Sequence, residues 1–194
     1  MNQFPTFEIR VNGTPIPDTL EVASINASAT GTALPEARLV IADPAEGGTF
    51  QPSTLTLFLP GSSVAIAAGY EGQNTPIFEG VIGQQSLRVS ATTHFTLTAD
   101  VTGAPVATLV LDTSQPPALT LTLGIDILEM ALKIGPSGLH GSVTACGTAL
   151  PQPGKMLQLA GIGPHYDGPA LINAVRHTIA DGDWLTTISV GLPE

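Results

Sequence analysis

Charged side chains are scarce in this sequence. Asp, Glu, Lys and Arg make up only 11% of its 194 residues, whereas about a quarter is usual in soluble domains. Six Lys and Arg residues stand against sixteen Asp and Glu, which gives a formal net charge of −10. Nucleic acids and anionic membranes are both bound through clusters of basic side chains. We therefore expect no nucleic-acid partner and no membrane insertion by this chain.

Cysteine and long apolar runs are also rare. Cys146 is the only cysteine, so an internal disulfide is excluded and nothing indicates an oxidising compartment. The N-terminal stretch MNQFPTFEIRVNG has neither a basic leader nor an apolar h-region, so we expect no secretion signal. No apolar run approaches the ~20 residues that a membrane-spanning helix needs. We expect the protein to fold in the cytoplasm.

The apolar residues that are present recur with a period of two, which predicts β-strands. FEIRV alternates before an Asn-Gly turn, and ARLVIADP, SVAIAAGY, PIFEGVIGQQSLRVS and HFTLTADV follow between Gly, Pro and Asn residues. ALTLTLGIDILEMALKI could form a helix in its second half, but a single strand with a bulge at Gly124 explains both halves. Pro116-Pro117 is the best linker candidate. This spacing predicts a mainly β protein, with barrels or a sandwich.

An internal repeat supports two barrels of one design. LPGSSVAIAAGYEGQNTPIFEGVI parallels QPGKMLQLAGIGPHYDGPALINAV. Gly61 and Gly154 are 93 residues apart (154 − 61), and so are Phe78 and Leu171 (171 − 78). Each copy then continues through a polar hairpin into a Thr-rich strand. The alternative is that Pro-Gly turns simply recur in β proteins.

Near the end of the chain, RHTIADGDW contains the residue types of a catalytic triad. His177 with Asp181 or Asp183 would need Ser142 or Cys146 as a nucleophile. No Gly-x-Ser-x-Gly elbow is present, and Asp-Gly is a strong turn signal by itself. We therefore predict no enzymatic activity and no catalytic residues.

Binding sites for metals, phosphate or sugars are equally weak in the pattern. His165, Asp167 and His177 lack a recognisable zinc spacing, ADPAEGG lacks the alternating ligands of a calcium loop, and GIGPH lacks the Lys-Ser/Thr of a phosphate loop. Trp184 could be a platform on which a sugar stacks, but a single Trp in an alternating strand is more often a core residue. We predict no cofactor and no metal. Thr-rich, uncharged strands leave edges available for pairing with other chains, which favours assembly.

The ordered motifs resemble the tail-hub proteins of contractile injection systems: phage baseplate hubs of the late control protein D type, VgrG proteins of type VI secretion, and extracellular injection-system hubs. In the first half, the resemblance lies in a Pro-Gly turn, a Gly-Tyr pair and a Phe-Glu-Gly stretch, namely Pro60, Gly61, Gly69, Tyr70, Phe78, Glu79, Gly80 and Val81. In the second half, it lies in Gly141, Pro153, Gly154, Gly161, Gly163, Val175, His177, Gly182, Trp184, Thr186, Gly191 and Leu192.

The resemblance implies a mainly β fold with two similar tube-like antiparallel β-barrels, which form a pseudo-hexameric ring as a homotrimer. Residues 1–115 would be the first barrel, 116–140 a connecting strand and shortened linker, and 141–194 the second barrel segment. The implied function is a structural baseplate hub that adapts the sixfold inner tube to the threefold spike. Implied partners are the chain itself, a spike protein with an OB-fold and β-helix, the inner tube protein and other baseplate components.

Two features depart from these hubs. Only ALKIGPSGLH joins the GIDILEM and GSV strands, where the family has a sizeable region, so this is either a minimal hub or a chain from which that region is absent. The chain also stops at GLPE, before any spike. The resemblance implies assembly in the bacterial cytoplasm into a phage-tail-like particle that can be released or fired outside the cell. The alternative function is a β-barrel or sandwich that binds a ligand, such as a glycan-binding adhesin.

Overall fold

The computed structural model describes residues 4–44, 56–89, 94–104, 116–135 and 138–191. These residues form thirteen β-strands. The strands are β1 Pro5–Val11, β2 Thr14–Pro15, β3 Glu21–Thr30, β4 Glu36–Pro44, β5 Ser63–Tyr70, β6 Gln73–Val89, β7 His94–Gly103, β8 Leu119–Thr122, β9 Ile127–Gly135, β10 Gly138–Cys146, β11 Met156–Ala160, β12 Gly168–Ala180 and β13 Asp183–Val190. Among the described residues, no helix is long and apolar enough to cross a membrane. The predicted mainly β composition is confirmed.

The chain divides into two compact units. Unit 1 consists of Met1–Ala27, Pro35–Ala104 and Thr178–Asp183, and unit 2 consists of Ser28–Leu34, Pro105–His177 and Trp184–Glu194. Strands β3, β12 and β13 therefore contribute residues to both units. The predicted linker at Pro116-Pro117 directly follows residues 105–115, which lie outside the described part of the chain. The predicted domains 1–115, 116–140 and 141–194 stay a prediction.

Both units have the same order of six strands. In unit 1 the order is β1-β5-β6-β7-β4-β3, and in unit 2 it is β8-β11-β12-β13-β10-β9. The first set consists of β1 and β3 to β7, and the second set consists of β8 to β13. When the six strands of each set are numbered along the chain, both sets have the order first, fourth, fifth, sixth, third, second. The small strand β2 is added to β1 in unit 1. One orientation differs, because β1 is antiparallel to β5 whereas β8 is parallel to β11. A shared order of six strands is much stronger support for duplication than recurring Pro-Gly turns.

The repeated Pro-Gly turn has the same hydrogen bonds in each unit. Gly61 N donates to Ile82 O (2.8 Å) and Ile82 N to Ser62 O (2.9 Å). In unit 2, Gly154 N donates to Ile172 O (2.8 Å) and Ile172 N to Lys155 O (2.9 Å). The first predicted anchor, an offset of 93, is thus confirmed by equivalent backbone geometry.

The second predicted anchor, Phe78 with Leu171, is wrong by three residues. Ile66 pairs with Phe78 in unit 1, and Leu159, its counterpart at the 93-residue offset, pairs with Gly168 in unit 2. The offset is therefore 90 (168 − 78) on this strand. The reason is that the stretch from Leu159 to Gly168 is three residues shorter than the stretch from Ile66 to Phe78.

Residues 119–135 form two strands, so the predicted single strand with a bulge is wrong. β8 pairs with β11 and β9 pairs with β10, and a turn at Gly124 (φ 81°) separates them. Asp126 fixes this turn, because its carboxylate accepts a hydrogen bond from Thr122 N (3.0 Å) while its own N–H donates to Thr122 O (2.9 Å). A carboxylate that holds the backbone in this way favours a turn over a continued strand.

Each unit has its own apolar core. In unit 1, Ile9, Ile25, Leu39, Ile41 and Ile66 are at most 2% exposed. The core of unit 2 contains Leu121, Ile127, Val143, Ala145, Leu157, Leu159, Ala170, Ile172, Val175, Ile188 and Val190. Two-residue turns with positive φ at both positions close the β1–β2, β5–β6 and β12–β13 hairpins, as expected for type I′ turns.

Candidate functional site

His177, the histidine that sequence analysis considered as a catalytic base, is buried beside Thr186. Only 6% of His177 is exposed, and its Nδ1 lies 3.1 Å from Thr186 Oγ1. The Thr186 hydroxyl donates its proton to Thr148 O (3.2 Å) and accepts a hydrogen bond from Thr148 N (3.0 Å). Because a hydroxyl has a single proton, the His177 ring nitrogen must be the donor, which assigns a neutral Nδ1–H tautomer. This arrangement holds the backbone at Thr148 in place.

The environment of His177 keeps the ring uncharged. Burial lowers the pKa of His177 from 6.5 to about 4, because the charged form loses its hydration. A folded-state pKa below the unfolded value means that the unfolded chain binds the proton more tightly. Protonation therefore favours unfolding as the pH falls from about 6.5 towards about 4.

We expect the free energy of unfolding to decrease between pH 7 and pH 4 by up to about 3 kcal/mol through His177 alone. Chemical denaturation at several pH values, followed by circular dichroism, measures this loss. The matched variant His177→Asn keeps an N–H donor for Thr186 but does not titrate, so its stability should depend less on pH. Identical pH slopes in the two proteins would contradict a buried neutral His177.

Trp184 lies in the core of unit 2. It is 4% exposed, and its ring is tilted by 49° against the His177 ring at a centroid distance of 6.0 Å. Gly147 packs so closely on the indole that a Cβ atom there would overlap it, and Gly147 N donates to Trp184 O (2.8 Å). The core position predicted for Trp184 is confirmed. An exposed sugar-stacking platform, on which the glycan-binding alternative depended, is contradicted by this burial.

The other triad candidates lie at turns and strand surfaces. Asp181 (φ 53°) and Gly182 (φ 81°) form the turn between β12 and β13, and Asp181 and Asp183 are exposed. This confirms the predicted hairpin. Ser142 is paired with Ser189, and Cys146 is exposed opposite Leu185. The Nδ1 atom of His177 is hydrogen-bonded to Thr186 Oγ1, so this nitrogen has a structural role.

Of the three metal candidates, Asp167 stabilises the loop that contains it. Asp167 accepts hydrogen bonds from Ile162 N (2.8 Å) and Gly163 N (3.1 Å), and these bonds lower its pKa. His165 is exposed in the same loop. Within the described residues, no group of three or more His, Cys, Asp or Glu side chains is placed to hold a metal ion. The calcium candidate ADPAEGG lies mostly outside the described residues.

The motif residues of the first half serve turns, close strand contacts and burial. Pro60 and Gly61 (φ 91°) form the Pro-Gly turn, and Phe78 is 7% exposed in the core. A Cβ at Gly69 would overlap the backbone of Gln73, and one at Gly80 would meet Thr102 O. Tyr70 is half-buried at the end of β5, whereas Glu79 is exposed. Their assignment as a hub motif stays a prediction.

The motif residues of the second half follow the same pattern. Pro153 and Gly154 (φ 88°) repeat the Pro-Gly turn, and Gly163 (φ 137°) supplies an N–H to Asp167. Gly191 donates to Leu171 O (2.9 Å), and its own carbonyl accepts from Asn173 Nδ2 (3.1 Å). A Cβ at Gly191 would meet Leu139 O. Leu192, the last motif residue, lies outside the described residues.

The main candidate binding surfaces were not predicted from the sequence. Strand β9 and the turn before it expose Ile125 (80%), Leu128 (59%) and Ile134 (53%). In the described part of the chain, β9 pairs only with β10, so it lies at the end of the unit 2 strand order. Unit 1 also has an open groove of about 550 Å³, lined in part by Arg10, Glu79 and Val81. The run of apolar residues around Asp126 was the available signal for the β9 surface.

Known proteins resemble this chain both in sequence and in fold. A family model described as the Alg8 N-terminal domain matches residues 1–115 and 130–181. Among curated proteins, none matches the chain. The fold is similar to that of a tail protein from Neisseria meningitidis MC58, with a TM-score of 0.68, 10% identity and 97% of both chains covered.

Two further solved structures share the fold. The 43 kDa tail protein of prophage MuSo2 from Shewanella oneidensis matches with a TM-score of 0.62 and 10% identity, over 97% of this chain and 96% of that chain. The E. coli c3393 protein, a component of the type VI secretion system, matches with a TM-score of 0.63 and 10% identity, over 96% and 77%. The predicted tail-hub resemblance is thus confirmed at the level of the fold. These structures are described as tail and secretion-system proteins rather than as enzymes.

Proposed function

We propose that this chain, which belongs to the Alg8 N-terminal domain family, is the structural hub of a contractile injection system. In this role it would adapt a sixfold inner tube to a threefold spike, and it would transmit force without catalysing a reaction. The shared fold with phage tail and type VI secretion proteins supports a structural role in a tail or baseplate. The particle would be assembled in the bacterial cytoplasm.

The observation that carries this proposal is the shared strand order of the two units. Three copies of a chain with two equivalent units present six similar modules around one axis, whereas the chains themselves are related by threefold symmetry. Such a ring can match a sixfold partner on one face and a threefold partner on the other. A closed ring of this kind needs heterologous contacts between complementary surfaces. The partners would be further copies of the chain, a spike protein, the inner tube protein and other baseplate components.

The sparse charge of the chain is consistent with burial in an assembly. Two ion pairs among the described residues are exposed: Arg10 with Glu8 within β1, and Arg38 on β4 with Asp100 on β7, both at 2.7 Å. Exposed pairs of this kind add little stability. On β10 and β13, Thr144 and Thr187 instead form an uncharged cross-strand pair at 3.0 Å. Uncharged surfaces of this type can be buried against a partner at low desolvation cost.

The test is to purify the chain alone and together with the spike and tube proteins encoded by neighbouring genes. We expect a mass of three copies in solution, and rings with threefold symmetry in electron micrographs. Sheath and tube genes beside this gene would agree with the proposal. A stable monomer that never forms threefold rings, even with spike and tube present, would contradict it.

A further inference from the structure

Strand β6 continues beyond the strand that covers one of its sides. The pairing of β5 with β6 ends at Ser63 opposite Val81, and the Pro-Gly turn then bonds Ile82. β6 itself runs on to Val89 along β7, with a bulge at Gly83 where the register shifts between Ile82 and Gln84. Among the described strands, only β7 pairs with β6 beyond Gly83, so the side of β6 that β5 leaves uncovered there offers a position for a further strand.

In unit 2 the equivalent position is occupied. Ile172 corresponds to Ile82 by its bonds to the Pro-Gly turn, so Asn173 corresponds to Gly83. The carbonyl of Asn173 accepts a hydrogen bond from Gly31 N (3.0 Å). Residues 28–34, the end of β3 and the residues that follow it, belong to unit 2. The end of β3, which is distant in the sequence, thus lies beside β12 at Asn173, the residue that follows the one bonded to the Pro-Gly turn.

The strand that fills this position has a counterpart in unit 2. β3 is the second strand of the first set of six, and β9 is the second strand of the second set. Both are last in the strand order of their set. Among the described strands, β9 pairs with β10 on one side only, and it exposes Leu128 and Ile134. An edge strand with large exposed apolar side chains is a natural site for pairing with another chain.

We propose that β9 of one copy pairs with β6 of a neighbouring copy, in the position beyond Gly83. This inference rests on the proposed hub function and names the contact that closes its ring. The joint between copies would repeat the joint that the end of β3 makes with β12 in unit 2. A ring of three copies would then contain six strand joints of one kind, which makes the six modules equivalent. Backbone hydrogen bonds would supply affinity, as in β-strand addition.

The equivalence also predicts the direction of the strands. Gly31, one residue beyond β3, lies beside Asn173, whereas Asn26 accepts a hydrogen bond from the Thr178 hydroxyl in unit 1 (3.3 Å). The second strand therefore runs antiparallel to the fifth. Applied to the joint between copies, the end of β9 near Ile134 lies close to Gly83, and Leu128 lies further along β6.

Disulfide trapping tests this joint, because the bond forms only where two Cα atoms approach within about 4.4–6.8 Å. The background is Cys146→Ser in the full chain, which removes the only cysteine. One chain carries Ile134→Cys, and a second carries Gln84→Cys or Ser86→Cys. Under mild oxidation, we expect a disulfide-linked dimer when the two chains are mixed, and none from either chain alone. A chain with both substitutions should give a ladder that ends at three copies.

The matched control replaces Ile134→Cys by Leu150→Cys, an apolar position outside β9 with similar exposure (59% against 53%). Mixed with the Ser86→Cys chain, this variant should form no disulfide-linked dimer. Rings in electron micrographs without any cross-link between β9 and β6 would overturn this joint and leave the hub function standing. An absence of rings under all conditions, with spike and tube present, would overturn both. A bond formed within a single chain would also overturn the joint.

Discussion

Replacing Trp184 by alanine is expected to lower the free energy of unfolding by about 3–5 kcal/mol. The indole is 4% exposed and fills the space between Gly147 and the His177 ring. Since Gly147 has no side chain and its backbone is bonded to Trp184 O, this part of the chain can collapse only slightly into the cavity. Urea denaturation followed by far-UV circular dichroism measures the loss, because the variant has no tryptophan fluorescence.

The neighbouring residue provides the control for this prediction. Leu185 is 36% exposed on the opposite face of β13, so Leu185→Ala should cost no more than about 1 kcal/mol. A Trp184→Ala variant with unchanged stability that failed to bind a glycan would contradict the core role and would revive the adhesin hypothesis. A loss of stability is the outcome that the structure supports.

Local signals were enough to predict most of the strands. Turn residues such as Asn12-Gly13 and Asp181-Gly182 were predicted where φ is in fact positive at both positions. The Pro-Gly turns at Gly61 and Gly154 identified the repeat, because their backbone geometry requires the same dipeptide in both units. These features depend on a few adjacent residues, and the sequence displays them directly.

The pairing of strands could not be predicted in the same way. The alternation of apolar residues in ALTLTLGIDILEM does not show that its first part pairs with the distant strand β11, while its second part pairs with β10, the next strand along the chain. The parallel pairing of β8 with β11 is a long-range choice, and it leaves β9 paired with β10 alone among the described strands. Register and partner are set by the whole sheet, so an isolated segment carries little information about them.

The candidate catalytic residues illustrate a related limit. His177, Asp181 and Asp183 are close in sequence, but His177 points into a core while both aspartates are exposed around the turn. The partner that matters for His177 is Thr186, on the next strand of the hairpin, and the partner of Thr186 is the backbone of Thr148. A cluster of polar residues in a sequence therefore represents a structural network here, which fixes the closing hairpin of unit 2 to the end of β10.

Replacing Thr186 by valine is expected to lower the free energy of unfolding by roughly 3 kcal/mol, although the two side chains have nearly the same shape. Thr186 is fully buried, and its hydroxyl is bonded to His177 Nδ1, Thr148 N and Thr148 O. A methyl group would leave all three without this partner, at about 1 kcal/mol each. Thr187→Val is the matched control, because Thr187 is half-buried and its hydroxyl is bonded to Thr144 at 3.0 Å, so this change should cost about 1 kcal/mol or less. Denaturation of both variants at pH 7 makes the comparison, and equal losses would contradict the special role of the buried hydroxyl.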